Sequence, residues 1–124
     1  MPILRKGDKK LMTTFNDYQS KAKRTDKYPA NFAFICYALG LSSEAGEVAG
    51  KIKKLIRDKS SNSVVVCDCT DKESIIDELG DCLWYIAMMA GYMGYTMEDV
   101  AFRNIEKLAD RERRGKIGGS GDNR

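Results

Sequence analysis

No proline occurs after Pro29, and only Pro2 precedes it. From position 30 onward nothing in the chain removes a backbone donor or forces a kink, so long uninterrupted helices are allowed. Two uncharged stretches of sixteen residues, Tyr28–Ser43 and Cys82–Met97, lie in this region. Each falls short of the roughly 20 apolar residues that cross a bilayer, and each contains glycine, so they predict buried helix segments and no membrane insertion. Over Phe32–Leu41 and Leu83–Met93 they are apolar nearly all round. A helix without a polar face must be covered on every side. A chain of 124 residues, one domain in size, has few other helices to do this, which predicts an oligomer, a homodimer or homotetramer.

End signals divide the chain into four helices. Thr14 is placed to cap a first helix to about Arg24, and Tyr28-Pro29-Ala30 is a turn. Asn31 is the expected cap of a second helix reaching about Arg57. Thr70-Asp71-Lys72-Glu73 has the capping-box spacing and is expected to open a third helix that runs to about Tyr92. Thr96, followed by Glu98 and Asp99, starts a fourth that fades near Arg113, with Gly115 as its stop. Lys59–Cys69 reads as a loop in which Val64-Val65-Val66 can form a short strand. Gly115–Arg124, with four glycines and Ile117 as its one apolar residue, reads by itself as a disordered tail. The prediction is a single all-α domain over residues 1–124, a four-helix bundle completed by oligomerisation.

Chemistry is bounded by an absence: there is no histidine. Catalytic triads, histidine-ligated zinc and ferritin-like di-iron sites are excluded, and acid–base or metal chemistry falls to carboxylates, lysine, tyrosine or cysteine. Cys36 and Cys82 sit in apolar runs, and Cys67-Asp68-Cys69 has the wrong spacing for a zinc knuckle. Met1–Thr14 lacks the continuous apolar stretch of a signal peptide, so a reducing cytoplasm is expected. The net charge of +3 is too small to imply a nucleic-acid partner. Its distribution says more: residues 28–102 carry six basic and eleven acidic groups, between ends that are both basic.

Glu44 and Glu47 are three apart, as are Glu78 and Asp81. On a helix each pair projects side by side, and each borders an uncharged run. Like charges beside a core need neutralising, and oxygen-only ligands suit Mg²⁺ or Mn²⁺. From Glu44, helical phase carries the stripe through Glu47 to Lys51 and Lys54; from Glu78 it passes through Asp81 to Tyr85. On the fourth helix Asn104, Lys107, Arg111 and Arg114 share one flank. Carboxylates for metal, with lysine, asparagine and arginine on facing helices, suit a metal-bound polyphosphate. A metal-stabilised helical scaffold or partner-binding module accounts for the apolar helices but not for the cationic stripe. A nucleic-acid binder accounts for the basic ends but not for the paired acids.

The run Leu39-Gly40-Leu41-Ser42-Ser43-Glu44-Ala45-Gly46-Glu47-Val48 and the segment Asp77-Glu78-Leu79-Gly80-Asp81-Cys82-Leu83-Trp84-Tyr85 resemble the MazG-like all-α nucleoside triphosphate pyrophosphohydrolases, small phage and bacterial forms especially. The opening Phe15-Asn16-Asp17-Tyr18-Gln19, the stretch Asn104–Leu108 and the ending Gly119–Arg124 are similar to the same forms. Two departures stand out. Ser43 occupies the place of the motif's first glutamate, and the thirty residues between Glu47 and Glu78 make a long spacer, with Lys59–Thr70 as the insertion.

The resemblance implies hydrolysis of a nucleoside triphosphate, a deoxynucleotide with dGTP as the candidate, to the monophosphate. It implies two or more Mg²⁺ or Mn²⁺ ions per site on Glu44, Glu47, Glu78 and Asp81, with Glu44 or Glu47 receiving the proton of the attacking water. Lys51, Lys54, Asn104, Lys107, Arg111 and Arg124 would grip the phosphates, and the tail would close over a nucleotide. Phe15, Tyr18, Tyr28 and Phe32 are candidates for stacking on the base, whereas Trp84 and Tyr85 are expected to pack. The setting implied is the cytoplasm, that of the host if the chain is phage-encoded.

Overall fold

The computed structural model describes residues 14–62 and 64–124. The stretch read above as lacking an apolar leader lies almost wholly outside them. Among the described residues four helices follow in order: α1 (Phe15–Lys23), α2 (Ala33–Lys59), α3 (Cys69–Tyr92) and α4 (Met97–Arg113). The all-α expectation holds.

The helix ends follow from local chemistry, with two corrections. The Thr14 side chain accepts from the Asp17 backbone N–H at 3.0 Å, as expected. Thr96 likewise caps α4 in a reciprocal box with Asp99, and Gly115 stops that helix at φ +65°. Asn31, however, does not cap α2: the helix starts two residues later, and Phe32, its N-cap residue, makes no side-chain capping bond. The turn instead bonds the Phe32 N–H to the Pro29 carbonyl at 3.0 Å. Nor does Thr70 open α3. Asp68 does, accepting from the Asp71 N–H while Asp71 accepts from the Asp68 N–H, at 2.9 and 3.0 Å. A carboxylate at this place also meets Lys59, which bridges Asp68 at 3.0 Å and Asp71 at 2.7 Å and so ties the end of α2 to the start of α3. Between them Ser60–Ser61 and Val64–Val65 pair antiparallel in a small hairpin, so the inserted spacer holds the short strand its valines suggest.

Joined by that hairpin, α2 and α3 run antiparallel: Lys59 meets Asp68, Lys51 meets Glu78, and Gly40 lies against Tyr85. At the other end of α3, α1 and α4 close the core through two α1 amides. The Gln19 side chain donates to the carbonyls of Ala87 (3.0 Å) and Tyr95 (3.2 Å) and accepts from the Met97 N–H (3.1 Å). Asn16 both donates to the Glu98 carboxylate and accepts from its backbone N–H. The buried cluster is Ala22, Ala33, Tyr37, Ala87, Met88 and Met97, with Trp84 and Tyr85 packed against it. Much apolar surface stays outside it: Leu39 is 66% exposed, Ile76 63%, Phe102 61% and Ile105 63%. Among the described residues no helix is long and apolar enough to cross a membrane.

The tail corrects the reading of disorder. Residues 115–124 fold back on α4, Gly119 and Gly121 turning at φ +89° and +83°. The Arg111 guanidinium donates to the carbonyls of Gly121 and Asp122.

Candidate active site

Halfway along the α2–α3 pair, three carboxylates converge. One oxygen each from Glu44, Glu78 and Asp81 lies within 4.8 Å of the others. The i, i+3 phase of α3 brings Glu78 and Asp81 to the face that meets Glu44 of α2. Glu44 and Glu78 are half-buried and Asp81 is exposed. Burial pushes the Glu44 carboxyl above the ordinary range, and the charge of Asp81, a hydrogen bond with Glu78 and the charges of Glu78 and Glu47 push it the same way. Glu47, one turn along α2, is exposed and outside the three-oxygen cluster, though near enough to act on Glu44.

Cations follow on the same side. The Lys51 ammonium stands 3.3 Å from a Glu78 oxygen and donates to the Ser74 hydroxyl at 2.6 Å. Lys54 and Lys51 line a 230 Å³ recess with Ser74 and Asp71 on the hairpin side.

On the opposite side the acids open into an aromatic cavity of about 330 Å³, walled by Thr25, Tyr28, Glu44, Asp81, Trp84 and Tyr85. Its walls are braced. The Tyr28 and Tyr85 hydroxyls are hydrogen-bonded at 2.7 Å, and the Trp84 indole N–H donates to Thr25 Oγ1 at 2.8 Å. Trp84 and Tyr85 meet edge to face at 4.9 Å. The bond with Tyr28 and then burial push the Tyr85 phenol up to about 12, with Glu44 and Asp81 adding to the shift. Gly40 makes room for the Tyr85 ring: a Cβ there would overlap it.

Of the aromatic residues expected at the base, Tyr28 lines this cavity, and Tyr18 is half-buried and within electrostatic reach of Asp81. Phe15 and Phe32, at 47% and 60% exposure, are not among its walls. Trp84 and Tyr85 do pack against the core, but they also wall the cavity, beyond what the sequence reading assigned them. A signal for Tyr85 was present: it falls seven residues after Glu78, on the Asp81 face. Thr25 carried none, since the approach of its loop to Trp84 is a tertiary contact.

The expectation that the cations of α4 face the acids of α2 is not met within one chain. α4 packs on α1 and α3 and makes no contact with α2. Asn104 and Lys107 line a separate 660 Å³ groove with Ala90, Met93 and Tyr95. Arg111, only 5% exposed, is turned to the tail, and Arg124 donates to Gly121 there.

Three oxygen donors this close, one of them disfavoured as an anion by the others, form a set that a hard divalent cation suits. Comparison with known proteins agrees with such chemistry. Residues 33–115 match the family model of the MazG nucleotide pyrophosphohydrolase domain. The chain is 39% identical to the Gene 37 protein of Mycobacterium phage L5 over 113 residues, covering 86% of this chain and 96% of that protein. No solved structure matches it significantly. The matched span holds all three clustered acids, Lys51 and the cavity walls Trp84 and Tyr85, and by it the chain belongs to the MazG nucleotide pyrophosphohydrolase family, enzymes that hydrolyse nucleoside triphosphates.

Proposed function

We propose that the chain hydrolyses a deoxynucleoside triphosphate to its monophosphate with divalent metal ions on Glu44, Glu78 and Asp81 and with Glu47 as the adjoining fourth acid. The observation that carries this reading is the position of the three carboxylates between a recess where Lys51, Lys54 and Lys59 stand with Asp58 and Asp71 and a cavity with aromatic walls. A nucleotide has the same order of parts: phosphates, then sugar, then a flat base.

Bound Mg²⁺ or Mn²⁺ supplies charge neutralisation at the phosphate oxygens and activation of the attacking water. The residues do the rest. Glu44 or Glu47 takes the proton of the water. Lys51, beside Glu78, and Lys54, in the adjoining recess, bind the outer phosphates as point charges. Tyr28, Trp84 and Tyr85 hold the base and keep water from the sugar side of the cavity.

Asn104, Lys107, Arg111 and Arg124 contribute further phosphate contacts. Because α4 stands clear of α2, they reach a carboxylate centre in a second copy of the chain, and the exposed apolar side chains of α2, α3 and α4 supply the surface for that pairing. The free cysteines Cys36, Cys67, Cys69 and Cys82 suit a reducing cytoplasm.

The test is incubation with each common ribo- and deoxynucleoside triphosphate, dGTP included, with Mg²⁺ or Mn²⁺, read by phosphorus NMR. Monophosphate plus pyrophosphate is expected, abolished by EDTA and restored by metal. Full turnover in chelator would overturn the mechanism.

A further inference from the structure

The α4–tail junction holds more positive charge than it neutralises. Lys107 and Arg111 both bond to one oxygen of Asp122, at 3.3 and 3.2 Å, and Arg124 donates to the Gly121 carbonyl that Arg111 also approaches. Two cations thus share one carboxylate oxygen with Arg124 a turn of the tail away, while Arg114 pairs with Asp110 at 2.8 Å and donates to the Arg124 backbone oxygen at 2.7 Å. Arg111 is 5% exposed, yet its Nε has no acceptor, and neither has the buried Nε of Arg124. A buried guanidinium donor without a partner is costly, so the arrangement is short of acceptor oxygens. The Asp122 side chain, by contrast, is 83% exposed, which leaves it free to swing out. Backbone oxygens of the tail also meet α4 independently of that carboxylate, Gly121 and Asp122 accepting from Arg111 and Arg124 from Arg114.

We propose that Lys107, Arg111 and Arg124 form a binding pocket for a polyphosphate anion in which Asp122 acts as a built-in plug, displaced when the anion enters. This rests on the phosphate-binding role proposed above for the three cations and adds its regulation. A tetrahedral phosphate group offers more acceptor oxygens than the single carboxylate oxygen that Lys107 and Arg111 Nη2 now share. Lys107, first, and Arg111 hold the Asp122 carboxyl below the ordinary carboxylate range, so the plug is charged at neutral pH and the exchange is anion for anion.

The test is calorimetry with inorganic pyrophosphate in EDTA, where the carboxylate centre has no metal with which to hold phosphate. Asp122→Asn should bind pyrophosphate about 3- to 10-fold more tightly than wild type, the gain expected from removing a competing, mostly solvent-exposed ion pair. Arg111→Gln should lose measurable binding with its α-helical circular dichroism unchanged. Hydrogen exchange at residues 115–124 should change when pyrophosphate is added to wild type. A parallel titration with a nucleoside triphosphate bearing an α,β-methylene bridge distinguishes the two sources of the anion: tighter binding than pyrophosphate assigns the pocket to the substrate's phosphates, equal binding to the released product. Equal pyrophosphate affinity in wild type and Asp122→Asn would overturn the plug. So would loss of tail protection in Asp122→Asn before any anion is added, which would make Asp122 a structural pin. Hydrolysis that persists without pyrophosphate binding refutes this inference alone. Pyrophosphate binding without hydrolysis of any triphosphate refutes the catalytic reading alone.

Discussion

Glu44 shows how one side chain carries both an instability and a use. Burial, Asp81, Glu78 and Glu47 all oppose its ionisation, so its folded-state affinity for protons exceeds that in the unfolded chain. A raised carboxyl contributes stability below its unfolded value, and that contribution is lost as pH rises through the folded value. In EDTA at pH 7, Glu44→Gln should therefore melt at a higher temperature than wild type. The difference should shrink as acid titrates the wild-type carboxyl, which thermal melts across pH would read. Turnover should fall by at least about 10²-fold in Glu44→Gln, and likewise in Glu47→Gln, as for the loss of a metal ligand or of the proton acceptor. Gly40 gives a second prediction. Alanine in mid-helix normally gains up to about 1 kcal/mol over glycine. Here its Cβ would overlap a Tyr85 ring held by Tyr28 and Trp84, and overpacking costs about 1–3 kcal/mol. Gly40→Ala should lower the urea midpoint and raise KM.

At the scale of elements, the start of α3 concentrates local and tertiary stabilisation in one residue. Asp68 caps the helix and meets Lys59 across the hairpin. Its carboxyl is held below the ordinary value of 3.8, by the Asp71 N–H first and by Lys59 second. The stability it adds is present above that value and is lost as pH falls through the lowered one. Asp68→Ala should lower the urea midpoint at neutral pH, and Thr70→Ala should leave it nearly unchanged. Sequence favoured Thr70 because threonine and glutamate stand at capping-box spacing. Asp68 and Asp71 make the same pattern two residues earlier, and the hairpin decides between them by bringing Lys59 to the earlier pair.

For the whole molecule, the exposed apolar side chains on α2, α3 and α4 are the main unfinished business of the single chain. Leu39, Ile76, Phe102 and Ile105 are each more than 60% exposed. The pairing proposed above would cover these side chains. Sedimentation at micromolar concentration should give a species larger than 13.9 kDa. Replacing Ile105 by glutamate should shift it toward monomer, and, if α4 serves a neighbouring centre, turnover should fall together with the oligomer. A compact, fully active monomer would place the whole reaction inside one chain.

Helix count, the length of α2 and α3 and the pairing of acids at i, i+3 were written in the sequence, because proline placement, cap residues and helical phase act within a few residues of one another. Glu44, Glu78, Asp81 and Lys51 were legible for the same reason: each lies on a stripe that helix geometry alone defines. Tertiary structure decided what distance along the chain conceals. It brought Thr25 and Tyr28 across to Trp84 and Tyr85 to wall a cavity that no local pattern announces. It left α4 clear of α2, and it folded a glycine-rich tail onto Arg111 although composition pointed to disorder. Periodicity reports which face of a helix a residue occupies. Which other helix that face meets depends on how the packed helices share a core, and here α4 joins that core through Met97 on the α1 and α3 side while the tail folds onto its far end.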